Sequence, residues 1–155
     1  KYQHLLIDDS CLGYFFHLYI DRRFFKDYIP EVVEFYDSAG EITDIKSEVA
    51  KVLVRKTGVW IPGNEYLTEK YYYGDYTRMN TYLAQRFHLV FDLNPEVKNP
   101  GIEEADYPAV KEVLTSLKGY MNVPASAVNN LTVFDVEDLI RFLKKAVRDF
   151  ITSYC

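Results

Sequence analysis

Two adjacent carboxylates, Asp8 and Asp9, close the apolar run Leu5-Leu6-Ile7. A pair of this kind can hold Mg²⁺ and serve a metal-dependent hydrolase or nuclease-like reaction. Such a site needs further acids at recognisable spacing, and no second acidic motif of that type is present. The competing reading is structural: Asp9 or Ser10 caps a helix, and first-turn acids complement its dipole. His4, His17 and His88 each stand alone, with no His or Cys three or four positions away to complete a local metal-ligand pair. Walker, GxGxxG, GxSxG, HExxH and CxxC motifs are missing, and Ser10 lacks the flanks of a nucleophile elbow. No catalytic residue, metal or cofactor is therefore expected.

Non-covalent recognition is better provided for. Asp27, Glu31, Glu34, Asp37, Glu41, Asp44 and Glu48 crowd one segment, opposed there only by Lys46. Asp92, Glu96, Glu103, Glu104 and Asp106 surround a loop containing Pro95, Pro100 and Gly101. If these loops share a face, they form a negative patch; the plain alternative is a solvated, solubilising surface. Beside them stands "EKYYYGDY", residues 69–76. In a helix or a strand at least one of Tyr71, Tyr72 and Tyr73 must point away from the core. An exposed tyrosine suits a binding anchor, because its ring packs and its hydroxyl bonds; the alternative is that these rings cover a small core. The expected contact residues are Glu34, Asp37, Glu41, Asp44, Tyr71, Tyr72, Tyr73 and Asp75.

The elements that must carry these residues read most clearly toward the C-terminus. In "LTVFDVEDLIRFLKKAVRDFITSY", Val136, Leu139, Ile140, Leu143, Val147 and Phe150 recur at helical spacing. Arg141, Lys144, Lys145 and Arg148 take the other faces. This predicts a long amphipathic helix near 134–153, capped by Thr132 with Asp135 in a capping-box position. A helix follows Pro108, with Val110, Val113, Leu114, Leu117 and Tyr120 on one face, and a short turn lies near 124–129. Met79, Tyr82, Leu83, Phe87 and Val90 mark another helix, while Gly74 argues against extending it through the tyrosines. "SCLGYFFHLYIDRRFFKDYIP" reads as a helix from near Ser10 that stops before Pro30, although its Tyr, Phe and Ile suit strands too. Ser38-Ala39-Gly40 predicts a hairpin, and "SEVAKVLVRKTG" reads as a helix capped by Ser47 and stopped by Gly58. The expected architecture is helix-dominated α+β, with about five helices and one small β-hairpin.

At 155 residues, and without a Gly/Ser/Pro-rich linker, the chain reads as one domain, 1–155. Its net charge of −5 argues against a phosphate-backbone binder and favours encounter with a basic protein. The 14 Tyr and 10 Phe supply large rings for core and interface alike. Two cysteines, Cys11 and Cys155, make no disulfide framework, although one bridge between them stays open. With no membrane-length apolar run and no visible signal peptide, a cytoplasmic setting without membrane contact is expected. The sequon Asn130-Leu131-Thr132 would matter only in a secreted protein.

In size, acidity, acid clusters and "EKYYYGDY", the chain resembles small bacterial immunity proteins of toxin–immunity pairs, including those of contact-dependent growth inhibition systems. The resemblance is one of general character and carries no family motif, so no family residue transfers. It implies a non-catalytic inhibitor that occludes a basic, nuclease-like toxin through carboxylates and tyrosines. The alternatives are the Asp8/Asp9 enzyme and a regulatory or scaffold module of a longer protein.

Overall fold

Residues facing alternately inward and outward build a three-stranded antiparallel sheet. The computed structural model describes residues 8–89, 99, 101–104 and 106–155. Strand β1 (Val33–Tyr36) pairs with β2 (Lys51–Val54), and β2 pairs with β3 (Val59–Pro62), in the order β1-β2-β3. The register sets Val33 opposite Val54, Phe35 opposite Val52 and Val52 opposite Ile61. Val33, Val52, Val54 and Ile61 are buried, each contributing about 1.5–3 kcal/mol of apolar transfer. Glu34, Tyr36, Lys51, Leu53 and Trp60 alternate with them and occupy the opposite face.

Two sequence expectations change here. The segment "SEVAKVLVRKTG" is not a helix: a 3-10 turn at Lys46–Glu48 leads into β2. Lys51, Val52, Leu53 and Val54 alternate with period two, and packing of Val52 and Val54 on the core decides the strand. Gly58 adopts φ 69° in the β2–β3 turn, instead of stopping a helix. The turn at Ser38-Ala39-Gly40 does form, closed by the Gly40 amide donating to the Asp37 carbonyl (3.2 Å). Its outgoing arm makes only one isolated bridge, Tyr36 opposite Ile42, so the full hairpin is β2–β3.

The described helices are α1 (Asp9–Arg23), α2 (Ile29–Val32), α3 (Gly63–Tyr66), α4 (Tyr72–Arg86), α5 (Tyr107–Leu117) and α6 (Val136–Tyr154). Together with the sheet they make a helix-dominated α+β fold. The N-terminal aromatic segment is helical, but it does not stop before Pro30. A π-helical turn at Phe24–Tyr28 connects α1 to α2, whose first turn accepts Pro30. Proline lacks the N–H that a continuous ladder requires, and the widened turn takes up the break. Helix α4 begins at Tyr72, so Gly74 lies inside it. A Cβ at Gly74 would run into the Glu69 carbonyl, which explains glycine at this close approach. The expected Val90 position lies outside the described residues.

A core of rings joins these elements. Tyr28 stacks on Phe142 (4.9 Å) and Tyr76 on Phe134 (5.7 Å), with Phe24 and Tyr72 packed beside them. At the far end of α6, Phe150 meets Phe15, Phe16 and Tyr19 of α1. The helical run from α1 through the π turn lies antiparallel to α6, since Phe15 meets Tyr154 and Tyr28 meets Phe142. The α5 face behaves otherwise than expected: Val110 and Val113 are exposed. Among the described residues no helix is long and apolar enough to cross a membrane. Cys11 and Cys155 are unbridged, the former buried and the latter exposed.

Candidate binding surface on the sheet

The expected contact residues separate into two environments. Glu34 lies on the outward face of β1, paired with Arg55 (3.0 Å) and accepting from the Tyr36 hydroxyl (3.0 Å). That bond, with partial desolvation, raises the Tyr36 pKa. Asp37 opens the turn: its carboxylate accepts from the Glu41 amide (2.9 Å), and its own amide donates to the Glu41 carbonyl (2.9 Å). Backbone pairing thus draws Asp37 and Glu41 together, with Asp44 following and Glu48 accepting from the Thr43 hydroxyl (3.1 Å). Among the described residues, Asp37, Glu41, Asp44 and Glu48 have no ion-pair partner.

The tyrosine run goes elsewhere. Tyr72 is buried, in contact with Tyr66, which in turn packs on Phe35 from the inner side of the sheet. Desolvation raises the Tyr72 pKa, and its hydroxyl lies 2.6 Å from that of Tyr76. Tyr71 is half-buried beneath the Lys70 ammonium (4.9 Å), and only Tyr73, at 47% exposure, faces water freely.

Asp75 is 0% exposed and is no surface contact. Its carboxylate accepts from the backbone amides of Thr132 (2.9 Å), Val133 (2.7 Å) and Phe134 (3.1 Å), from the Thr132 hydroxyl (3.2 Å) and from Arg78 (2.7 Å). A buried charge is tolerated only with such saturation. Thr132 is therefore spent on Asp75, and Asp135 caps α6 instead, accepting from the Glu137 and Asp138 amides (3.0 Å each).

Residues that the sequence reading passed over complete the sheet face. Cross-strand partners share a face, so Ile42, Tyr36 and Lys51 form one outward row, with Trp60 on the diagonal. Ile42 is 67% exposed and Trp60 49%. The Tyr36 and Trp60 rings lie 5.1 Å apart, tilted by 59°, and the Lys51 ammonium sits 4.7 Å from Trp60 and 5.8 Å from Tyr36. The signal was available: once "KVLV" and "VWIP" are strands, period two turns Trp60 outward. Exposed aromatics beside uncompensated carboxylates can hold a cationic surface.

Asp8 accepts from the Cys11 amide (3.1 Å) and so caps α1, of which Asp9 is the first residue. Burial raises the Cys11 pKa, aided by Asp8. His17 is exposed, 3.3 Å from Asp21, and His88 is exposed beyond α4. His4, Asp92 and Glu96 lie outside the described residues. Glu103, Glu104 and Asp106 are exposed, with the Asp106 carboxylate accepting from the Ala109 amide (3.4 Å) at the start of α5. Among the described residues no three His, Cys, Asp or Glu side chains are grouped to hold a metal. Compared with known proteins, the chain matches no family model, no curated protein and no solved structure.

Proposed function

We propose that this chain is a non-catalytic protein-binding domain that docks a basic partner on the outer sheet face and the acidic loop 37–48. The carrying observation is that exposed Trp60 and Ile42 lie on the outward sheet face with Tyr36, while the loop bearing the unpaired carboxylates of Asp37, Glu41 and Asp44 borders that face at the Tyr36–Ile42 bridge. Large rings supply anchors, while the carboxylates steer encounter and fix register. The reading that unites this surface with the net charge of −5 is an immunity-type inhibitor that covers the cationic substrate-binding surface of a nuclease-like toxin. Tyr73 is a separate exposed ring and stands outside this face in the proposal.

The test uses two baits, the natural chain and a doubly charge-reversed variant, Asp37→Lys with Asp44→Lys. Captured basic proteins are then purified and their association rates measured from low to high salt. The reversed variant should associate about ten-fold more slowly at low salt and show a flatter salt dependence. Equal rates for the two baits would remove this face from the proposal.

A further inference from the structure

The arrangement on the sheet contains a cation already, and it belongs to the chain itself. We infer that the Tyr36–Trp60 notch is a cation seat, held by Lys51 in the free protein and ceded to an arginine or lysine side chain of the basic partner. This rests on the protein-binding reading above and names the chemistry of its anchor.

The geometry supports an exchange. Two rings 5.1 Å apart and tilted by 59° offer two π faces to one charge. The Lys51 ammonium uses both, at 4.7 Å and 5.8 Å. Cation attraction to a ring face is electrostatic, and an indole is the best such face. Among the described residues nothing else holds Lys51: it is exposed and its ammonium makes no ion pair or hydrogen bond there. Releasing it to water therefore breaks no ion pair. A guanidinium stacks more effectively on a ring plane than an ammonium does, and it is less strongly hydrated. Behind the rings, Glu34 fixes Tyr36 through its hydroxyl (3.0 Å) and is itself held by Arg55 (3.0 Å), so one wall of the seat is braced. The carboxylates of Asp37, Glu41 and Asp44 follow on the same segment and favour arrival of a positive group.

Trp60 is the only tryptophan in the chain, so its emission reports this seat alone. The probe is a blocked tetra-arginine peptide titrated against the natural chain, Lys51→Met, Lys46→Met and Tyr36→Leu. Lys46→Met makes the same charge change in the adjoining acidic loop, away from the strand that carries Lys51. Lys51→Met should bind the peptide about two- to five-fold more tightly than Lys46→Met, the scale of one exposed cation–π contact. Tyr36→Leu, combined with Lys51→Met, should abolish that gain. Equal affinities for Lys51→Met and Lys46→Met overturn the seat. If binding then still falls in the Asp37→Lys, Asp44→Lys variant, the acidic face survives without it. If the peptide binds every variant alike, both readings fall.

Discussion

Asp75 shows how one side chain can be misjudged by its neighbours in sequence. Set beside Tyr73 and Tyr76 in a tyrosine-rich stretch, it resembles a surface acid, yet it ties α4 to the segment preceding α6. Nothing local distinguishes an acid aimed at solvent from one aimed at three amides that lie 57–59 positions away. The substitution Asp75→Asn keeps the shape but replaces one acceptor oxygen by a donor facing donors. It should cost about 3 kcal/mol, measured by urea unfolding, because buried amides lose their acceptor and Arg78 loses its counter-ion. A change below about 0.5 kcal/mol would mean the carboxylate is not the tie described. Trp60 was missed for a related reason: its exposure depends on the strand register, which residue type alone does not set.

Elements were legible where period and end signals agreed. Helix α6 follows from its apolar spacing, and α4 and α5 from theirs, with boundaries shifted by tertiary contacts. Segment 47–58 was misread because Val-Leu-Val flanked by lysine and arginine satisfies both periods over so short a stretch, and core packing of Val52 and Val54 decides it. Helix α4 extends further toward its N-terminus than glycine propensity allows, because Gly74 answers a steric demand of the Glu69 carbonyl. Gly→Ala inside a helix ordinarily stabilises by up to about 1 kcal/mol. Here Gly74→Ala should instead destabilise by about 1–3 kcal/mol, since overpacking against backbone cannot relax easily. A rise in thermal midpoint for Gly74→Ala would contradict that close approach. The acidic loop was legible as composition, but only the Tyr36–Ile42 bridge reveals which face adjoins it.

For the whole molecule, the tyrosine-rich core couples stability to alkaline pH. Burial pushes the pKa values of Tyr28, Tyr66 and Tyr76 well above the ordinary tyrosine range. An unfolded tyrosine loses its proton near pH 10, whereas these remain protonated in the fold. Below about pH 10 both states are protonated and their contribution is constant. Above it the unfolded state binds fewer protons, so stability falls as pH rises, by up to about 1.4 kcal/mol per pH unit for each fully buried tyrosine. Urea midpoints from pH 8 to 11 should therefore stay level and then drop. Tyr66→Phe should make the drop shallower, and it should leave neutral-pH stability equal or about 1 kcal/mol higher, because the buried Tyr66 hydroxyl has no hydrogen-bond partner among the described residues. A steeper alkaline drop in Tyr66→Phe would refute this account.

The antiparallel seating of α1 on α6 also sets an order of events during synthesis. Phe15, Phe16 and Tyr19 lie in α1, yet they find Phe150 only after the sheet and every helix between α1 and α6 have been made. Asp75 likewise waits for Thr132, Val133 and Phe134 before its charge is matched. On the ribosome, the sheet hairpin can pair early from neighbouring residues, while the aromatic face of α1 stays uncovered until α6 emerges. Helix α6 acts as a latch, and its emergence is the step that closes the core.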